Sequence, residues 1–197
     1  RASKLKYELY FKALREVFLH IKQRAAEQGK SVDCVVPTHS LNSYSHWRIV
    51  SPMSHLMDLK EMDGYIAQVW TGTARSATMY RGLLKERTFE GGFLEYSQML
   101  AMVRPTGRKV WFLADPIEDN PNYSWNNYKL NYECTVISSL MWPEVHRFEV
   151  MPWPSRIFQG TYPKVDMDTK SGEREGIPAD YATELLSVIN ALNDMDQ

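Results

Sequence analysis

The stretch Lys109 to Asp119, read Lys-Val-Trp-Phe-Leu-Ala-Asp-Pro-Ile-Glu-Asp, constrains the fold more than any other part of the chain. Val110 to Ala114 is an unbroken apolar run, the pattern of a strand covered on both faces in a parallel sheet. Pro116 has no amide hydrogen and takes the chain out of the sheet. Asp115 is therefore expected at the carboxyl end of a parallel strand, the end at which α/β folds keep their chemistry. Asp-Pro is also an ordinary turn signal, so a role in fixing its own loop stands beside the functional one.

Around this strand, helical and extended patterns alternate. Leu5, Leu9, Leu14, Phe18 and Ile21 predict a helix over 4–28, stopped at Gly29. A strand follows over 31–37 and ends in Thr38-His39-Ser40, then a short helix over 53–59. Asp63-Gly64 marks a turn into a strand over 65–70. Residues 75–85 are expected to form a helix or helical loop, broken at Gly91-Gly92, with a further helix over 93–103. Beyond the central strand come a helix over 125–142, a strand over 146–151, a polar loop over 160–176 and a last helix over 179–192.

This alternation predicts an α/β fold of parallel βα units, organised as a single α/β domain over 1–197. An open doubly wound sheet usually shows a glycine-rich phosphate turn after its first strand. Here that loop is Thr38-His39-Ser40-Leu41-Asn42, and neither GxGxxG nor a P-loop occurs anywhere. The reading that follows is a (β/α)8 TIM barrel or its C-terminal half, since four βα units make half of such a barrel. A half barrel leaves two strand edges open. The chain is thus expected to be part of a longer one, completed by the remainder of that chain or by a homo-oligomer.

Strand alternation also sorts the side chains. In 146–151, Phe148 and Val150 share one face, suited to the helices, and Arg147 and Glu149 share the other, toward the lumen of a barrel. In 65–70, Gln68 and Trp70 share a face with Ile66. The plain alternative is that Arg147 and Glu149 are solvated at a strand end.

Composition narrows the function classes. The net charge of −1 gives no basic field for nucleic acid. No apolar run approaches the ~20 residues needed to span a bilayer. The two cysteines, Cys34 and Cys134, form no CxxC and do not settle the compartment. His20, His39, His46 and His55 make no HxH or HExxH pattern, so no metal and no cofactor is expected. Ser40 has no GxSxG elbow. Arg81, Lys85 and Arg87 read as a solvated helix face. Six Trp and eleven Tyr, many beside expected strand ends, offer flat faces suited to sugar rings, although core packing claims most aromatics in any protein.

The segments Asp63-Gly64-Tyr65-Ile66-Ala67-Gln68-Val69-Trp70, Trp111-Phe112-Leu113-Ala114-Asp115-Pro116 and Phe148-Glu149-Val150-Met151-Pro152-Trp153-Pro154 resemble the late strands of TIM-barrel glycoside hydrolases of the retaining clan. The likeness covers roughly residues 30–160 and lies in architecture and strand-end chemistry. It implies a carbohydrate substrate cleaved by strand-end carboxylates. With the four strands taken as the fifth to eighth of the barrel, Asp115 holds the nucleophile's place and Trp153 that of the subsite aromatic. The clan has Glu where this chain has Asp115, and it places no catalytic acid where Glu149 falls. Asp115 and Glu149 are the expected catalytic carboxylates, with Glu118 in reserve. Trp70, Trp153 and Gln68 are the expected substrate contacts, with His39 and Arg147 as contacts or tuning groups. Two other classes remain: a non-catalytic carbohydrate-binding or structural barrel, and an open-sheet α/β domain that binds a ligand.

Overall fold

The computed structural model describes residues 2–39, 41–117, 120–150, 153–167 and 172–195; the side chains of Ser43, His46 and Val150 lie outside the description. The elements are, in chain order, α1 (Ala2–Glu27), β1 (Val35–Thr38), α2 (Leu41–His46), α3 (Met53–Leu56), β2 (Gly64–Gln68), α4 (Thr71–Ala74), β3 (Thr78–Tyr80), β4 (Leu83–Lys85), α5 (Thr88–Val103), a 3-10 turn (Arg104–Thr106), β5 (Lys109–Ala114), α6 (Trp125–Ser139), β6 (Phe148–Val150), α7 (Pro154–Phe158), β7 (Tyr162–Pro163), β8 (Arg174–Glu175) and α8 (Ala179–Asp194).

The fold is mixed α/β, with a four-stranded parallel sheet in the order β1-β2-β5-β6. Its strands follow chain order without a reversal, the winding that successive βα units give when each adds to the same edge. A doubly wound sheet reverses at its middle and binds its ligand at that point; this sheet has no such reversal. Two small antiparallel pairs, β3 with β4 and β7 with β8, lie outside it.

The chain divides into two compact units, Arg1–Ala67 with Gln98–Val110, and Gln68–Ser97 with Trp111–Gln197. In the first, α1 turns Phe18 and Ala25 inward, and Leu56, Met62 and Tyr65 are almost fully buried. Asp63 ties this unit together. Its Oδ2 accepts hydrogen bonds from Lys22 Nζ and from the Cys34 amide, each at 2.6 Å. Its own amide donates to the Cys34 carbonyl at 2.8 Å, and its carbonyl accepts from the Lys109 amide at 3.1 Å. One residue thus fastens α1 and the lead-ins to β1, β2 and β5. Gly64 follows because nothing larger fits: a Cβ there would lie 2.2 Å from the Lys109 carbonyl oxygen. The Asp63-Gly64 pair is the entrance to β2, with the strand beginning at the glycine itself.

In the second unit, Ala114, Ile117, Trp125, Tyr128, Tyr132, Ile157, Tyr162, Tyr181 and Leu185 form a buried cluster, with Phe148 packed against it. Tyr96 meets Phe112 edge-on at 4.8 Å between ring centroids. Phe112, Ala114 and Phe148 therefore belong to the helix-covered side of the sheet, as the strand pattern requires.

Two local expectations are corrected. Residues 78–85 form the β3–β4 hairpin where a helix or helical loop is expected. Tyr80 pairs with Leu83, and Arg81 and Gly82 between them have φ of 50° and 77°. Positive φ at both central residues belongs to the two-residue hairpin turns. Arg81, Lys85 and Arg87 consequently lie on or beside a hairpin, with Arg81 and Arg87 over the Tyr80 ring. Gly91 and Gly92, expected to break a helix, lie inside α5. A Cβ would come 2.1 Å from the Ala74 carbonyl oxygen at Gly91, and 2.6 Å from Ser138 Oγ at Gly92. The glycines permit close approach at no cost to helix continuity beyond propensity.

Burial alone would raise the Asp63 carboxyl, but hydrogen bonds from Lys22 and the Cys34 amide outweigh it and hold the group below its usual range. A carboxyl depressed in the folded state contributes stability above its unfolded pKa and loses it as pH falls through the folded value. Asp63→Asn is expected to melt lower than the parent at pH 7, with the gap closing as pH drops below about 4. Thermal melts of both proteins across that range check this; a constant gap contradicts the ion pair's part in it.

Candidate functional site

Alternation along the strands divides the sheet into a fully buried face and a half-buried one. Tyr65, Ala67 and Val69 are completely buried while Ile66, Gln68 and Trp70 are half-buried. Likewise Phe112 and Ala114 are buried, and Trp111 and Leu113 are half-buried. Glu149 pairs with Leu113 in the β5–β6 register and is half-buried as well. Within the second unit, Gln68, Trp70, Leu113 and Glu149 thus fall on or just beyond half-buried strand positions near the carboxyl ends. The Val69 amide donates to the Leu113 carbonyl at 3.1 Å, which fixes the first pair beside the last.

Asp115 follows β5 directly and is 3% exposed. Its Oδ1 accepts the Ile117 amide at 3.2 Å, closing an Asx turn over Pro116. All three carbonyls of this turn accept side-chain hydrogen bonds. Thr71 Oγ1 donates to Asp115 at 2.7 Å, the Tyr181 hydroxyl to Pro116 at 3.1 Å, and Trp70 Nε1 to Ile117 at 2.7 Å. Burial, and then the Asp115 carboxylate, push the Tyr132 hydroxyl above its ordinary range. The structure therefore seats Asp115 in a closed turn beside buried tyrosines, and Glu149 on the half-buried face. It does not present the two as an open pair.

The remaining expected residues are dispersed. Trp70 is anchored by its indole N–H, whereas Trp153, at the N-cap of α7, is 57% exposed. Arg147, expected as a substrate contact or a tuning group for the carboxylates, precedes β6 and, with Trp111, His146, Ile189 and Leu192, lines a recess at the amino end of that strand. Glu118 lies outside the described residues. His39 belongs to the first unit, at the carboxyl end of β1, where its ring meets Tyr44 and Trp47 edge-on at 5.9 and 5.6 Å. Its Nδ1 is buried without a hydrogen-bond partner among the described residues. Among the described residues, no three His, Cys, Asp or Glu side chains converge to hold a metal, and no helix is long and apolar enough to cross a membrane.

Sequence reasoning missed a polar clamp in the second unit. Arg75, 5% exposed, donates to Asn127 Oδ1 at 2.5 Å and to Glu86 Oε2 at 2.8 Å, with its guanidinium 3.8 Å from the Tyr123 ring centroid. Asp166 accepts from the Ser124 amide and hydroxyl at 2.8 and 2.6 Å and from Asn127 Nδ2 at 2.8 Å. Burial opposes ionisation of Asp166, yet the Ser124 and Asn127 hydrogen bonds, with the Arg75 charge, hold its carboxyl below the usual range. Ser124 is the N-cap of α6, so the clamp joins the segment after β2, the start of α6 and the loop after β7. The capping pair Ser124 and Asn127 was a local signal; Arg75 and Asp166 have none, being 91 residues apart (166 − 75).

Compared with protein-family models, with curated proteins and with solved structures, the chain has no match in any of the three.

The turn after β5 makes its own test. Tyr181→Phe strips one carbonyl of its donor and is expected to cost about 1 kcal/mol. Asp115→Asn keeps an acceptor for the Ile117 amide and should cost less than Asp115→Ala. Urea unfolding of the three variants measures both; an Asp115→Ala protein as stable as its parent excludes the Asx turn as a support.

Proposed function

We propose that the chain is a carbohydrate-active protein of the glycoside hydrolase type, acting at the carboxyl ends of its parallel strands. The observation that carries this reading is the half-buried sheet face of the second unit. Such a face is what the inward side of barrel strands requires, and it holds a carboxylate, an amide and an indole: Glu149, Gln68 and Trp70. The strand order without reversal supports a barrel-type winding over a doubly wound sheet. The resemblance of the three strand segments to TIM-barrel glycoside hydrolases points the same way.

On this reading Glu149 is the carboxylate that acts on the glycosidic bond. Gln68 donates to a sugar hydroxyl, and Trp70 and Trp153 offer ring faces at the same end of the strands. Asp115 is a positioning residue that holds the turn to which Trp70 is anchored. Glycoside hydrolysis needs a second carboxyl group, about 5–5.5 Å away for retention or about 6.5–9.5 Å for inversion. Glu118, three residues beyond Asp115, is the group this chain offers for it.

A second reading, a non-catalytic carbohydrate-binding domain, is favoured by the closure of Asp115: the residue at the nucleophile's place is engaged by its own loop. Kinetics on a panel of aryl glycosides and polysaccharides, with Asp115→Asn and Glu149→Gln, separates the two. The catalytic reading expects Glu149→Gln to lower kcat about a thousandfold or more at an unchanged melting temperature. It expects Asp115→Asn to act mainly on stability. A parent that turns over no glycoside, yet binds one in a manner lost in Trp70→Ala or Trp153→Ala, leaves the binding reading; neither turnover nor binding ends both.

A further inference from the structure

We propose that the recess at the amino end of β6 is a binding site for a small aromatic carboxylate, a single planar ring bearing one carboxyl group. β6 is the last strand of the order β1-β2-β5-β6, so no strand flanks it on its outer side. The Phe112 amide donates to the Arg147 carbonyl at 2.9 Å, and Phe112 pairs with Phe148. This parallel register sets Trp111 of β5 beside Arg147. The other wall comes from α8. Leu185 joins the core cluster, and Ile189, Leu192 and Asn193 follow on the same side of the helix and line the recess. The recess lies at the amino end of β6, so it is additional to the carboxyl-end face proposed above for carbohydrate.

Size and lining select the ligand. The recess encloses about 170 Å³. A cavity of ~150 Å³ holds one benzene ring, whereas sites for drug-sized ligands start at about 300 Å³. One ring with a short substituent fits, and a nucleotide or a disaccharide does not. Trp111 and Phe148 supply aromatic surface, and Ile189 and Leu192 supply aliphatic surface, both suited to the faces and edge of a ring. Arg147 supplies the charge. Its side chain is half-buried, and among the described residues it makes no hydrogen bond or ion pair. A guanidinium so placed has given up part of its hydration, and its planar fork matches a carboxylate through two parallel hydrogen bonds. One permanent cation also suits a monoanion better than a phosphate, whose sites gather several donors. A plainer role for Arg147, as a cation at the last turn of α8, makes a different prediction for its variants.

Amide-proton NMR of the 197-residue chain, titrated in turn with benzoate, benzamide and inorganic phosphate, tests this. Benzoate is expected to shift the signals of Trp111, Arg147 and Ile189 saturably, with a Kd of about a millimolar or below. Benzamide keeps the ring and lacks the charge, and should bind at least about tenfold more weakly. Arg147→Gln should weaken benzoate by a similar factor at an unchanged melting temperature. Arg147→Lys keeps the charge without the fork and should fall between. The proposal is overturned by benzoate that causes no saturable shift at these residues, or by benzamide or phosphate binding as tightly as benzoate. These comparisons need only the parent chain. An Arg147→Gln protein that melts lower and binds benzoate as the parent does also overturns it, and leaves the guanidinium as a support of α8.

Discussion

The three peptide carbonyls of Asp115, Pro116 and Ile117 are the constraint on which the second unit depends. A buried carbonyl without a donor costs free energy comparable to a lost hydrogen bond. The chain has to leave the sheet here, because Pro116 cannot continue a ladder. Thr71, Tyr181 and Trp70 supply the three donors, and the Asp115 carboxylate takes the Ile117 amide. The same bonds orient the Trp70 indole. The turn is therefore the support on which the Trp70 ring is mounted, and Asp115 serves it by being engaged.

Asp63 performs a comparable task in the first unit with a charge in place of neutral donors. A partly buried carboxylate loses hydration, and it persists because Lys22 and the Cys34 amide replace the lost water. Arg75 and Asp166 follow the same rule through Ser124, Asn127 and Glu86. Each network joins segments distant in sequence, and in each the charged group meets fixed partners.

The sheet gives its loops their direction. Parallel strands send every loop that follows a strand to one end. In the second unit that end receives Trp70, Asp115 and Trp153, while alternation leaves Gln68 and Glu149 on half-buried positions nearby. Arg147, on the amino side of β6, is placed elsewhere by the same rule. Residue type alone could not separate Arg147 from Glu149; strand direction does.

The sequence by itself determined most of the alternation of helices and strands and several ends of its longer elements, although α5 begins at Thr88, ahead of the expected 93, and α6 ends at Ser139, short of the expected 142. These depend on periodicity and on proline and glycine punctuation, which are local. The helix expected over 4–28 is Ala2–Glu27, the central strand ends one residue before Asp115, and the last helix starts at Ala179 directly after Pro178. The two faces of β2 were legible for the same reason, since a strand alternates whatever it packs against, whereas β5 was read as covered on both faces and has Trp111 and Leu113 half-buried. Only the tertiary structure decided that Gly91 and Gly92 belong inside a helix, because their reason is the backbone at Ala74 and the side chain of Ser138. Only it seated Asp115 in a closed turn, because the donors come from α4, its approach and α8. The hairpin at 78–85 falls between the two: its Arg81-Gly82 turn is local, but a three-residue strand carries too few alternations to outweigh a helical reading. Arg75 and Asp166 were beyond the sequence altogether, since a buried ion becomes visible only when the residues that satisfy it are brought around it.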